Sequence, residues 1–83
     1  MSVVGKRSSP AEQTLLLRML RQLRIEAGLR QEDLAATLGR PQSFVSKYET
    51  GERRLDLLEL REVCEALGIS LTTFARRFEK TLR

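Results

Sequence analysis

The stretch QEDLAATLGRPQSFVSKYET, residues 31–50, decides how the rest of the chain is read. Its apolar residues follow helical spacing twice, with a break between. Leu34, Ala35 and Leu38 mark one face of a first helix, Gly39 supplies a sharp turn, and Val45 and Tyr48 mark the inner face of a second. Helices joined by so short a turn cross steeply, which demands a small residue at their closest approach, and Ala35 stands there. Gly39 suits the left-handed conformation that ends a helix, which a residue carrying a Cβ adopts only at a cost. The spacing predicts a helix-turn-helix.

The second helix divides into two faces. With Val45 and Tyr48 turned inward, Gln42, Ser43, Ser46, Lys47 and Thr50 share the opposite arc. Amides, hydroxyls and an ammonium match the donors and acceptors on base-pair edges in a major groove. On these residues, and on Gln31, Ala35, Gly39, Gln42, Ser43, Val45, Glu49 and Gly51 standing in one register between Leu29 and Gly51, the chain resembles the lambda-repressor-like, Cro/XRE-type helix-turn-helix family. The resemblance runs from about Leu16 to Phe78. It implies an all-α, compact five-helix domain that binds double-stranded DNA without a cofactor. A small homodimeric transcriptional repressor or controller acting at a palindromic operator is the expected function. An antitoxin-type or accessory protein whose main role is binding a protein partner is the alternative.

Side-chain chemistry and the resemblance together assign roles. Gln42, Ser43, Ser46 and Lys47 are the expected base contacts. Gln42 suits adenine N6 and N7, and Lys47 suits guanine O6 and N7 or a phosphate. Gln31 is expected on a phosphate, supporting Gln42 through a side-chain hydrogen bond. Arg24 and Glu49 match a structural ion pair that sets the angle of the recognition helix, against the alternative of two solvated charges. Arg53 and Arg54 fall where the backbone is touched, unless they are simply solvated. Arg30, Arg40 and Thr50 complete the expected backbone contacts. Phe44, at the edge of the arc, is placed with them as a contact to a thymine methyl or sugar, and packing on the neighbouring loop is the competing reading.

Composition narrows the field. A chain of 83 residues with a net charge of +4 makes one domain, whose core shields about 60% of the unfolded surface and would gain from a dimer partner. No room for a sensing or catalytic domain is expected. Histidine is absent and Cys64 is the single cysteine, which removes disulfide frameworks, zinc knuckles and most acid–base chemistry at neutral pH. No enzyme activity and no metal site are expected. Cys64 shares a helical face with Leu60 and Leu67 and reads as a small core hydrophobe, with a redox sensor as the other reading. The run LLLRML, residues 15–20, is too short to span a bilayer and is interrupted by Arg18, so no membrane segment is expected and the expected compartment is the cytoplasm.

The remaining elements follow in order. Residues 1–8 are expected to form a flexible basic tail ahead of a single domain over residues 9–83, with Lys6 and Arg7 either solvated or acting as a DNA arm. Ser9, Pro10 and Glu12 signal a helix start, and the helix should run to Ala27 with Leu16, Leu20, Leu23 and Ala27 facing the core. Leu15, Leu17 and Met19 are surplus to that stripe. Helix 2 spans Gln31 to Leu38 after a poor cap, Arg30, costing about 1 kcal/mol, and Arg40 is a second weak cap before helix 3. Asp56 and Glu59 form a capping box for helix 4, Leu57 to Leu67, with Leu60, Val63, Cys64 and Leu67 in the core. Ser70 caps helix 5. Leu71, Phe78 and Leu82 on that helix are proposed for a dimer interface, with packing inside the domain as the competing reading.

Overall fold

The computed structural model describes residues 10–83; the tail and the Ser9 cap lie outside them. Five helices follow one another: α1 (Pro10–Glu26), α2 (Gln31–Leu38), α3 (Gln42–Thr50), α4 (Leu57–Ala66) and α5 (Leu71–Thr81). No strand occurs among the described residues. α2 packs most extensively on α3, α1 crosses α3 and α5, and α4 bridges α2 and α5.

Every helix sends at least one side chain to a shared centre. Leu20 comes from α1, Leu34 and Ala35 from α2, Phe44, Val45 and Tyr48 from α3, Val63 and Cys64 from α4, and Phe74 from α5. All are buried, so the spacing that defines the inner faces also defines the core. Of the surplus residues in α1, Leu17 and Met19 pack against this core and Leu15 is half-buried. Ala27 departs from expectation: α1 stops one residue earlier, and Ala27 is exposed in the turn that follows.

The turn between α2 and α3 is set by hydrogen bonds. Gly39 has φ +68°, its N–H bonds the carbonyl of Ala36, and the N–H of Arg40 bonds that of Ala35. This is the Schellman arrangement, which satisfies carbonyls that the helix end would strand. A Cβ on Gly39 would meet nothing within 4 Å, so glycine is required by the backbone conformation and not by space.

Helix starts are capped in different ways. Asp56 Oδ1 accepts from the Glu59 N–H at 2.8 Å and Glu59 Oε1 accepts from the Asp56 N–H at 3.0 Å, closing the box. Ser70 Oγ accepts from the Thr73 N–H at 3.1 Å. Arg30 has no side-chain oxygen to offer, but Asp33 Oδ2 accepts from its N–H at 2.9 Å. Half of a capping box therefore survives at α2, contributed from inside the helix. Before α3 the capping position belongs to Pro41, one residue later than Arg40, and no side chain caps it.

Two buried polar groups sit in this core without titrating near neutrality. Burial pushes the Cys64 thiol up to about 11, which leaves little thiolate for redox chemistry and agrees with a core hydrophobe. Burial likewise holds the Tyr48 phenol above its ordinary range, and its hydroxyl has no hydrogen-bond partner among the described residues. A buried unpartnered hydroxyl costs stability. Tyr48→Phe is expected to stabilise the domain by about 1 kcal/mol, read as a rise of roughly 4–8 °C in thermal midpoint. A fall in the midpoint would reveal a partner for the hydroxyl.

Candidate nucleic-acid interface

The outer arc of α3 is open. Gln42, Ser43, Lys47 and Thr50 are exposed and Ser46 is half-buried. Ser43 and Lys47 have no side-chain partner among the described residues. Ser46 Oγ donates weakly to the Ser43 carbonyl at 3.4 Å, and Thr50 Oγ1 donates to the Lys47 carbonyl at 3.1 Å. Each hydroxyl thereby keeps its lone pairs for an outside donor.

A chain of polar contacts ties this arc to the scaffold. Arg24 and Glu49 are 10% and 3% exposed at their side chains and meet in a fork: Nε donates to Oε2 at 2.7 Å and Nη2 to Oε1 at 3.1 Å. Arg24 Nη1 also donates to the Leu29 carbonyl at 2.8 Å, holding the turn before α2. Glu49 Oε1 then accepts from Gln31 Nε2 at 2.9 Å, and Gln31 Oε1 accepts from Gln42 Nε2 at a long 3.5 Å. The network runs from the end of α1, through the end of α3 and the start of α2, to the first residue of the recognition helix. Its members differ in exposure as their roles require: the ion pair is buried, Gln31 is half-buried and Gln42 is exposed.

A second cluster lies beside the start of α3. Phe44 is 7% exposed, meets Tyr48 edge to face at 5.6 Å, and carries the guanidinium of Arg40 at 4.4 Å and that of Arg53 at 4.8 Å from its ring centre. The ring is a platform inside the fold, covered by two arginines that are themselves partly exposed. Arg53 forks onto Glu59, Nη2 to Oε2 at 2.7 Å and Nη1 to Oε1 at 3.0 Å, and Arg40 approaches the same carboxylate at 3.6 Å. The Arg53 fork, aided by the Asp56 N–H, holds the Glu59 carboxyl down to about 2, so it is anionic throughout the neutral range.

The other expected contacts are scattered around these two clusters. Arg30 is folded onto Asp33, Nε to Oδ2 at 3.1 Å and Nη2 to Oδ1 at 3.2 Å, yet its side chain is 73% exposed. Arg54 is exposed, and its carbonyl accepts from Arg53 Nη1 at 3.1 Å. Thr50 shares a shallow groove with Arg18 and Arg21 of α1, two exposed arginines. Leu71 is partly buried against the domain's own core, and Phe78 and the 43% exposed Leu82 line a groove with Leu16 of α1. Among the described residues no cluster of acidic, cysteine or histidine side chains could hold a metal, and no helix is long and apolar enough to cross a membrane.

An exposed polar helix braced through a tight turn onto a small helical core defines the class of a DNA-binding helix-turn-helix module. Residues 20–74 match the helix-turn-helix family, and the chain belongs to the Cro/XRE-type branch of it, a family of DNA-binding transcriptional regulators. An XRE-family like protein from Pseudomonas syringae pv. tomato shares 42% sequence identity and superposes with a TM-score of 0.83, over 88% of this chain and 89% of that one. A point mutant of the restriction-modification controller protein C.Esp1396I, bound to its highest affinity operator site OM, superposes with a TM-score of 0.76 at 25% identity, over 87% of this chain and 95% of that one. An uncharacterized HTH-type transcriptional regulator of Sinorhizobium fredii, y4dJ, is 42% identical over 48 residues, which are 58% of this chain and 62% of the relative.

Proposed function

We propose that this chain binds double-stranded DNA sequence-specifically as a homodimer and regulates transcription by occupying an operator. The observation that carries the reading is the exposed polar arc of α3 joined through Gln42 and Gln31 to the buried Arg24–Glu49 pair. A side chain that reads bases must be held before the DNA arrives, because ordering it on binding would cost conformational entropy. The controller-protein neighbour seen on its operator supports the same use of the fold.

Gln42, Ser43, Ser46 and Lys47 are the proposed base contacts. Gln31, Arg30, Arg40, Thr50, Arg53 and Arg54 are the proposed backbone contacts. Leu71, Phe78 and Leu82 are the proposed dimer seam. Two recognition helices related by a two-fold axis would address half-sites about 34 Å apart, so the operator is expected to be roughly palindromic. Selection of bound sequences from a random duplex pool, followed by footprinting of the winner, checks this. Two inverted half-sites one helical turn apart are the expected outcome.

A protein partner is the second reading, favoured by one observation. Leu57 and Leu58 at the start of α4 are 66% and 68% exposed, more than solvated leucines on so small a surface require. A pool without any enriched half-site would move the weight to this reading.

A further inference from the structure

A carboxylate beside a surface that is to meet phosphates is out of place unless it holds something. Glu59 side-chain exposure is 13%, and its oxygens face Arg53, Arg40 and the Asp56 N–H. The Phe44 ring lies under both guanidiniums, which are each 37% exposed at the side chain. We propose that Glu59 is a positioning residue for DNA binding, which fixes Arg53 and Arg40 against Phe44 so that their free edges form a pre-ordered clamp for neighbouring phosphates. This rests on the DNA-binding reading above.

The donor inventory of Arg53 supports it. Of its five N–H groups, Nη1 spends both on Glu59 Oε1 and the Arg54 carbonyl, and Nη2 spends one on Glu59 Oε2. The Nε–H and the second Nη2 hydrogen remain without a hydrogen-bond partner among the described residues. These two lie on the same edge of the guanidinium and form the side-on fork that matches two oxygens of one phosphate. Glu59 thus uses one edge of the arginine and leaves the other without a hydrogen-bond partner among the described residues. The backbone joins the clamp to the reader as well, since the Arg53 N–H bonds the Lys47 carbonyl at 3.2 Å.

Glu59→Gln tests the proposal by the sign of its effect. Gln keeps an oxygen to accept from the Asp56 N–H, so the cap of α4 survives, while the charged fork to Arg53 is lost. The substitution raises the net charge from +4 to +5 by removing one carboxylate. If Glu59 merely repelled phosphate, E59Q would bind duplex more tightly. Positioning predicts about tenfold weaker binding near physiological salt and a salt slope lower by about one. In an R40A/R53A background the same change should have no further effect, because the residues through which it acts are gone.

Thermal melting of each variant verifies that it is folded at the assay temperature. Hindered rotation of the Arg53 guanidinium, followed by NMR in the unsubstituted protein, tests the fork without any variant. Tighter or unchanged binding by E59Q, an equal loss in the R40A/R53A background, or a freely rotating Arg53 overturns the role of Glu59 while wild-type binding stands. Failure of the wild type to bind any selected duplex removes the DNA-binding reading, and the clamp with it.

Discussion

Arg24→Ala is expected to destabilise the domain by about 3–5 kcal/mol, enough to lower its thermal midpoint by well over ~10 °C in a chain of this size. The size of the effect follows from what is left behind. Glu49 is 3% exposed at its side chain, and without Arg24 its charge keeps only the Gln31 amide as a side-chain donor. The Leu29 carbonyl loses its donor in the same change. A buried pair adds little net stability over a well-packed apolar pair, so the large cost is the penalty of an orphaned charge. Replacing both partners, as in Arg24→Met with Glu49→Leu, should therefore cost less than Arg24→Ala alone.

Stability and recognition separate at this point. The double variant is expected to fold, yet Gln31 would have lost the carboxylate that orients its amide, and Gln42 the residue that orients it in turn. Its preferred operator should be bound with weaker discrimination at the base proposed for Gln42. Melting curves and competition binding with single-base operator variants measure the two quantities independently. A folded double variant that discriminates bases as sharply as the wild type would show that the network supports the fold alone.

Much of this arrangement is legible in the residues, and the part that is not has a physical reason. Helical spacing exposes the core because burial is periodic: Leu20, Leu34, Val45 and Val63 each stand where the period puts them. The turn is legible because only glycine adopts the φ of Gly39 without strain. The Arg24–Glu49 pair, 25 residues apart, has no local signature, and only the family resemblance brought the two together.

Phe44 shows where periodicity is silent. Its position on the wheel is an edge, and whether an edge is covered depends on the loop that follows the helix. Here Arg53 returns from that loop to lie on the ring, bonded through its backbone to Lys47. Glu59 reads as a cap from its spacing to Asp56, and it is one. That it also anchors two arginines is a tertiary fact, since Arg53 lies in an irregular loop and Arg40 in a turn.

The division between reading and gripping leads to the second large effect. Lys47→Ala and Gln42→Ala are each expected to lose about 1–3 kcal/mol of discrimination between the preferred base and its competitors, a factor of roughly 5 to 150, with a small effect on binding to unrelated duplex. Arg53→Ala is expected to weaken every sequence alike and lower the salt slope by about one. The contrast rests on where the side chains end. Lys47 and Gln42 project from the open arc of α3, whereas Arg53 is fastened to Glu59 and Phe44 at its flank. Repeating the random-pool selection with each variant distinguishes them: the Lys47 and Gln42 variants should enrich a relaxed or altered half-site, and the Arg53 variant the wild-type half-site at lower yield. If all three kept the wild-type preference and differed only in yield, α3 would be gripping the backbone, and base readout would have to be sought elsewhere on the DNA-facing surface.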